Sequence, residues 1–212
     1  MKKITTLAAI VATSIALFGA STASAQTVYG QVGTTGVTLG YAQHFDKFNL
    51  RGDVNFFNYS HNLNTSGINY DAKLKFSNVG LFADYYPISA VSQFRVTGGF
   101  FVGNDKITAR GHAGADSDIP DGEWATGRIK SKSFRPYIGV GWGYGNQSKG
   151  LSFTADLGAS YGKFRTDYEV SPGLQDYWGD DRVQQERRDL DNKIGDYKWY
   201  PVIRVGLAYR FN

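Results

Sequence analysis

Apolar and polar residues alternate along most of this chain, most clearly in its last segment, KWYPVIRVGLAYRFN, from Lys198 to Asn212. From Ile203 to Phe211 every second position is large and apolar, and the positions between them are small or charged. Successive side chains of a β-strand point to opposite faces. The period of two therefore predicts a strand with one apolar face and one small or polar face.

The same alternation recurs in six earlier segments: FNLRGDVNF, NYDAKLKF, NVGLFADYY, FRVTGGFFVG, RPYIGVGWGYG and LSFTADLGASYG. The apolar positions change phase between Phe76 and Val79, which predicts a β-bulge near Ser77 and Asn78. The pattern indicates an all-β fold, either a soluble sandwich or a membrane barrel.

Charged residues occupy the polar face of several segments. In a soluble sandwich such residues face water, whereas in a membrane β-barrel the apolar face meets lipid and the polar face lines the lumen. If the chain is a barrel, the lumen-lining residues are Arg51, Asp53, Lys75, Asp84, Arg95, Arg135, Asp156, Arg204 and Arg210.

The connections between segments favour the barrel. Short turns are predicted at 44–47, 87–93 and 146–150, and longer polar connections at 61–69, 111–132 and 170–196. The two kinds alternate along the chain, as the short periplasmic turns and long outer loops of outer-membrane barrels do. Aromatic residues gather at both ends of the segments, the positions that amphipathic rings prefer at two bilayer interfaces.

The strand count depends on the first segment, TVYGQVGTTGVTLGYA. We interpret Thr27–Gly33 and Val37–Gln43 as two strands joined by a tight turn, which gives an antiparallel up-and-down barrel of eight strands. One long strand through 28–43 is the alternative, but bacterial single-chain barrels have even strand numbers.

The last long connection contains a helical pattern. In residues 180–194, Val183, Leu190 and Ile194 have helical spacing, which predicts a helix against the outer rim or a cap over the lumen.

The first 25 residues have the features of a signal peptide: Lys2 and Lys3, a short apolar run, and Ala23-Ser24-Ala25 before the expected cleavage site. We expect residues 1–25 to be removed and residues 26–212 to form the barrel domain in the outer membrane of a Gram-negative bacterium. Without Lys2 and Lys3 the net charge of +4 falls to +2, which predicts no nucleic-acid partner. Cysteine is absent, so the fold has no disulfides.

The C-terminus carries a second signal. Arg204, Gly206, Tyr209 and Phe211 resemble the terminal strand motif that the barrel-assembly machinery recognises, except that Asn212 follows the final aromatic residue. The resemblance implies that this machinery is a partner during biogenesis.

Longer stretches also resemble known barrels. The whole mature chain resembles the small eight-stranded outer-membrane β-barrels, the group that includes the transmembrane domain of outer-membrane protein A. More narrowly, VGTTG (32–36) and residues 68–87 and 200–211 resemble one family of proteobacterial barrels. The first third of the chain resembles the family of ornithine-uptake, carbapenem-susceptibility porins. The resemblance implies an eight-stranded barrel and, through the porins, solute uptake.

The sequence does not predict an enzyme. It has three histidines, His44, His61 and His112, all in expected turns or loops, and none belongs to a pattern typical of barrel hydrolases. The acidic segment 116–123 does not have EF-hand spacing. We therefore expect no catalytic residues, no metal site and no cofactor.

Basic residues gather near the expected outer rim. Outer-leaflet lipopolysaccharide carries phosphates that such residues bind, and we expect a monomer in contact with outer-membrane lipid and lipopolysaccharide. The candidate contact residues are Lys106, Arg110, Lys130, Lys132, Lys163 and Arg165.

The predicted function depends on the lumen. Eight strands enclose a space that side chains can just fill, so the lumen charges predict a salt-bridged plug and a structural or surface-interaction role. The alternative is a narrow porin-like channel for small solutes, in which an excess of arginine and lysine favours anions.

Overall fold

The structure, a computed structural model, describes residues 26–65, 68–113, 118–144 and 149–211, so the expected signal peptide 1–25 lies outside it. The strands are β1 (Gln26–Gly33), β2 (Gly36–Phe45), β3 (Phe48–Thr65), β4 (Ile68–Tyr85), β5 (Phe94–Ala113), β6 (Trp124–Ser131), β7 (Phe134–Trp142), β8 (Gly150–Tyr161), β9 (Phe164–Val170) and β10 (Trp199–Arg210). A 3₁₀ turn spans Ser89–Val91, and the α-helices are α1 (Pro172–Trp178) and α2 (Asp180–Gly195).

Eight of these strands form a closed antiparallel ring in the order β1, β2, β3, β4, β5, β7, β8, β10, with β10 paired back to β1. The predicted eight-stranded up-and-down barrel is confirmed. The first hairpin consists of two strands, β1 and β2, and Gly33 pairs with Gly36 across the turn. The ring leaves no unpaired strand edge around its circumference.

Above the ring, the sheet continues on one side only. Residues 57–65 of β3, 68–78 of β4 and 103–113 of β5 extend past their ring neighbours, and β6 and β9 add two further strands beside β5. We call these five segments the outer sheet. The expected polar connections at 61–69 and 111–132 are therefore wrong in part, because much of both is strand.

The predicted bulge near Ser77 and Asn78 is also wrong. β4 keeps one register with β3 from Phe48↔Tyr85 to Thr65↔Ile68, and one register with β5 along its whole length. The apolar positions change phase because the environment changes. Val79 and Leu81 are exposed on the outer face of the ring, and on the same face Ser77 precedes them in the outer sheet.

Burial in the ring is the reverse of that in a soluble protein. Its outer surface carries large exposed apolar side chains, and Leu151, Ile138 and Leu157 are 69%, 61% and 58% exposed. Its interior holds buried charged and polar side chains. An apolar exterior around a polar interior is the arrangement of membrane β-barrels.

The two helices pack against the outer sheet. Leu174 of α1 and Val183 of α2 are buried, and a Cβ on Gly127 of β6 would lie 3.7 Å from Leu190 Cδ2. The helix predicted at 180–194 is thus confirmed as α2. Ser171 precedes α1 and donates a hydrogen bond to the Glu123 carboxylate, which joins the helices to the start of β6. No helix in the described ranges is long and apolar enough to span a membrane.

Candidate functional site

The lumen of the ring holds most of the charged residues that alternation assigns to it. The structure buries seven of the nine: Arg51, Asp53, Asp84, Arg95, Arg135, Asp156 and Arg204. Arg210 is half-buried near the end of β10. Lys75 is exposed and does not line the lumen, because odd positions of β4 face outward and no bulge reverses them.

Three arginines and three aspartates form one connected network at the centre. Arg51 Nε lies 2.7 Å from Asp84 Oδ2, and Arg51 Nη2 lies 3.2 Å from Asp156 Oδ1. Arg95 bridges the same two carboxylates, at 2.5 Å from Asp156 Oδ1 and 3.4 Å from Asp84 Oδ1.

Arg204 completes the network from β10. Its Nη1 lies 2.9 Å from Asp53 Oδ2 and its Nη2 lies 3.4 Å from Asp156 Oδ2. All six side chains in the network have 0% exposure, and their formal charges sum to zero. A buried charge is costly unless it is paired and hydrogen-bonded, and this arrangement places each of the six charges in an ion pair across the width of the barrel.

Neutral side chains donate additional hydrogen bonds to carboxylate oxygens that the arginines already contact. Gln31 Nε2 donates to Asp156 at 2.9 Å, Thr97 Oγ1 to Asp84 at 2.7 Å, and Tyr29 OH to Asp53 at 3.1 Å. These donors come from β1 and β5, so the network ties strands that are far apart in sequence.

Aromatic rings fill the space around the guanidinium groups. The Arg95 guanidinium carbon lies 4.7 Å from the centre of the Tyr144 ring, and that of Arg51 lies 5.0 Å from the same ring. Arg51 and Arg204 also lie 5.1 Å and 5.2 Å from the centre of the Phe82 ring. These cation–π contacts place rings where an open lumen would hold water.

Inward glycines provide the room that these large groups need. A Cβ on Gly141 would lie 2.5 Å from Arg95 Cζ, and one on Gly40 would overlap the Tyr29 ring. The Tyr137 hydroxyl likewise fills the space that a Cβ on Gly139 would need. The described part of the glycine-rich segment 139–145 therefore contributes to packing in the lumen.

Polar contacts close the end of the barrel that carries the short turns. Asn49 Nδ2 donates to Tyr86 OH at 2.6 Å and to the Tyr144 carbonyl at 3.1 Å, and His44 Nδ1 lies 2.5 Å from Asn49 Oδ1. Tyr86 OH in turn donates to the Gly143 carbonyl at 3.1 Å. At the opposite end, Arg135 Nη2 lies 2.5 Å from Asp105 Oδ2.

The terminal-strand residues have structural positions of their own. Arg204 belongs to the lumen network, and a Cβ on Gly206 would collide with the backbone of Gly30 and Gln31 at the β1–β10 seam. Tyr209 and Phe211 are exposed on the outer face, with ring centres 5.1 Å apart. An assembly role for these residues stays a prediction.

The basic residues expected near the rim lie on the outer sheet or next to it. Lys130 Nζ donates to Asp167 Oδ2 at 2.6 Å, and this hydrogen bond holds the pKa of the Asp167 carboxyl below its usual range. Arg110 instead stacks on Trp124, with its guanidinium carbon 4.3 Å from the ring.

The histidines predicted to lie in turns or loops have separate surroundings in the structure. His112 Nε2 lies 3.2 Å from Asp71 Oδ2 at a partly exposed position, and His61 stacks on Tyr59. Among the described residues, no three histidine, aspartate or glutamate side chains are placed to share a metal ion. Part of the acidic segment 116–123 lies outside the described residues.

Sequence reasoning missed the uncharged half of the lumen. Tyr29, Gln31, Asn49, Phe82 and Tyr144 pack against the charges, yet none was a candidate. Alternation was a usable signal for Phe82, which lies between Gly80 and Asp84 on the inward face of β4. Alternation along RPYIGVGWGYG wrongly predicts Tyr144 on the outward face with Ile138. Tyr144 follows the end of β7, where the strand geometry stops, and its side chain is buried.

Comparisons with known proteins give a likeness in fold. No family model matches the chain, and no curated protein sequence matches it. Among solved structures, Acinetobacter baumannii CarO2 aligns with a TM-score of 0.62 at 20% identity, over 90% of this chain and 100% of that one. Acinetobacter baumannii CarO aligns with a TM-score of 0.61 at 21% identity, over 87% and 97%.

A third similar structure comes from another organism. A major outer membrane protein from Thermus thermophilus aligns with a TM-score of 0.53 at 18% identity, over 90% of this chain and 100% of that one. At these identities the likeness establishes the β-barrel fold, and it agrees with the resemblance to carbapenem-susceptibility porins noted in the sequence.

Proposed function

We propose that this chain is an integral outer-membrane β-barrel protein whose lumen is closed by its own side chains, and that its role is structural or surface-interacting. The observation that carries the proposal is the neutral network of three arginines and three aspartates, all fully buried across the lumen. A water-filled channel needs this space, and the side chains already occupy it.

The exterior of the ring supports the membrane location. Large apolar side chains are exposed on its outer face, and exposed aromatic residues occur at both ends of the strands, for example Phe48 and Tyr209 at one end and Phe134 and Trp199 at the other. This surface would aggregate in water but suits a bilayer with an aromatic belt at each interface. The outer-membrane proteins of similar fold support the same location.

The energetics favour a plug that stays closed. Opening a path requires separating buried arginine–aspartate pairs, which leaves uncompensated buried charges; removing one partner of such a pair costs about 3–5 kcal/mol. The aromatic rings of Tyr144 and Phe82 would have to move together with the arginines that they contact. A path through the lumen is therefore rarely open at equilibrium.

The proposal includes three further points. The chain is not an enzyme and works without a cofactor. It is a monomer, since the ring completes its own hydrogen bonding. It is inserted by the barrel-assembly machinery, which reads the terminal strand through residues such as Tyr209 and Phe211.

The test is single-channel conductance of the refolded protein in a planar bilayer. The unmodified protein is expected to stay silent while remaining heat-modifiable on gels. Replacing Arg51, Asp84, Arg95 and Asp156 together by Ala removes two charges of each sign and should produce discrete conductance steps. A matched control replaces Arg182 and Asp118, an exposed ion pair, by Ala and should stay silent.

A narrow channel is the second candidate, and one observation favours it. Several buried polar atoms in the lumen have no hydrogen-bond partner among the described residues, including Arg51 Nη1, Arg95 Nη1 and Tyr137 OH. Such atoms need water or a polar solute, so they mark a path for small polar molecules. Reproducible steps from the unmodified protein, altered by Arg51→Ala, would establish the channel and refute the plug.

A further inference from the structure

The outer face of the barrel changes from apolar to basic along a line that crosses four strands. Val79, Val102 and Phe134 lie at the same level on β4, β5 and β7, are exposed and form the top of the apolar surface. Four residues above Val102 is Lys106, about 13 Å further along the strand before tilt is considered.

The register aligns this lysine with three other cations. Lys75 of β4 pairs with Lys106 of β5, Lys106 pairs with Lys130 of β6, and Lys130 pairs with Arg165 of β9. Directly opposed residues of antiparallel strands share a face, so the four side chains form one lateral row on the outside. We call Lys75, Lys106, Lys130 and Arg165 the outer basic row.

Neighbouring strands are about 4.8 Å apart, so the row spans about 14 Å. Like charges directly opposite each other destabilise a sheet, and this row places three such pairs side by side. Within the described part of the chain, the row has one anionic partner in salt-bridge distance, Asp167 beside Lys130. Lys75, Lys106 and Arg165 have none there. The row is therefore suited to an external anion.

Two more lysines extend the basic surface toward the apolar edge. Lys132 and Lys163 are exposed, and the Lys132 backbone N–H donates to the Lys163 carbonyl at 3.2 Å. Arg110, by contrast, lies higher and is held against Trp124. The surface defined by register differs in two residues from the set that sequence alone indicated. It adds Lys75 and omits Arg110.

We propose that the outer basic row, with Lys132 and Lys163, is a binding site for the phosphate groups of an outer-leaflet lipid that carries more than one phosphate, the chemistry of lipid A. The cations lie about 13 Å along the strands from exposed apolar residues, so one molecule can place acyl chains against Val79, Val102 and Phe134 and its phosphates on the row. A free phosphate or a soluble polyanion would use only the upper half of this surface. The site rests on the proposed membrane location.

The experiment measures how much lipid A remains bound to the folded protein. The chain is expressed in full, purified from membranes in mild detergent, incubated with bisphosphorylated lipid A, and examined by native mass spectrometry. The test variant changes all four residues of the outer basic row to Gln. The control variant removes the same charge elsewhere by changing Lys47, Arg188, Lys193 and Lys198 to Gln, all of which are exposed.

The row variant should bind lipid A about tenfold more weakly or worse, because each cation near an anionic lipid surface contributes to binding. The control variant should bind as the unmodified protein does, and lipid A stripped of its phosphates should bind all three proteins equally weakly. Undiminished binding by the row variant, or an equal loss in the control variant, would overturn the site. Displacement by millimolar inorganic phosphate alone would refute the lipid as the ligand.

Heat-modifiable gel mobility verifies that each variant is folded. Conductance recorded on the same preparations tests the closed lumen separately, so a conducting protein that still binds lipid A through the row would refute the plug and leave this site intact. A protein that fails to enter bilayers at all would refute both.

Discussion

The lower ring and the outer sheet are built from the same strands but have opposite polarity. In β4, the outward positions Val79 and Leu81 of the ring are apolar, while the outward Lys73 and Lys75 of the outer sheet are charged. The inward face changes the other way, from Asp84 in the ring to apolar residues such as Leu74 above it. The registers with β3 and β5 continue unbroken through the change.

The comparison shows that environment, and not backbone geometry, decides which face of a strand is apolar. In the proposed membrane location the outer face of the ring meets hydrocarbon and the lumen supplies polar partners. Above the ring the outer face would meet water and headgroups, while the inner face becomes a small core. In that core α2 covers β6 and β9, with Leu190 near Gly127.

The largest effect is expected where the lumen network loses one charge. Asp156→Asn leaves three buried arginines facing two carboxylates, and removing one member of a buried ion pair costs about 3–5 kcal/mol of unfolding free energy. Asp167→Asn removes a carboxylate from the exposed pair with Lys130 and should cost at most about 1 kcal/mol. Urea unfolding from lipid vesicles measures both, and equal losses would contradict the distinction between the two regions.

A smaller effect is expected from placing the same charge at two levels of one strand face. Leu81→Lys puts an ammonium on the apolar exterior one layer below its upper edge and should cost about 1–3 kcal/mol, between the values for the bilayer interface and midplane. Ser77→Lys puts it on the same face of β4 just above the apolar surface, where it should be nearly neutral. Vesicle unfolding again provides the measurement. If Leu81→Lys were tolerated as well as Ser77→Lys, the ring would not be surrounded by lipid.

The sequence predicted the ring well because each ring strand follows one rule. Alternation with period two located the strands and the lumen side of residues such as Arg51 and Asp156, and the connections together with the even strand numbers of bacterial barrels indicated eight strands. The rule fails above the ring, where the outward face of the strands is no longer apolar. The outer sheet combines charged and apolar residues in the opposite phase, so much of 61–69 and 111–132 resembled loop, and Lys75 was assigned to the wrong face.

The pairing inside the lumen was beyond a single sequence for a different reason. Arg51 and Asp156 are 105 positions apart and meet only because the ring closes. The partner of a lumen charge depends on strand stagger and on the size of inward neighbours, as with Gly141 beside Arg95. Alternation indicates that a residue points inward, but it carries no information on which residue it meets.

Two glycines provide a finer comparison of inside and outside. A Cβ on Gly141 would lie 2.5 Å from the Arg95 guanidinium carbon, which the network holds in place, so Gly141→Ala should cost about 1–3 kcal/mol. Gly98 of β5 has open space around the same position, and Gly98→Ala should leave stability unchanged or raise it by up to about 1 kcal/mol. Thermal unfolding in detergent compares them, and a similar loss at both sites would argue against a tightly packed lumen.

The smallest effect tests whether the inner face of the outer sheet is a core. Burial raises the pKa of Tyr168 to about 12 from the ordinary 10.0, and its carbonyl accepts a hydrogen bond from Arg187 of α2 at 3.1 Å. The neutral phenol is the form that packing stabilises, so its contribution is complete below about pH 10 and is lost as the pH rises toward 12. The α2–β9 contact should therefore become sensitive to protease in this alkaline range while the ring stays folded.

Phenolate absorbance follows the titration. The variant Tyr168→Phe identifies the contribution of Tyr168 to the absorbance, and Tyr177→Phe, at a residue 67% exposed, is the control. Ionisation of Tyr168 near 10 would mean that α2 does not cover β9 in solution, and the outer sheet would then have two exposed faces where the ring has one lipid-facing and one filled.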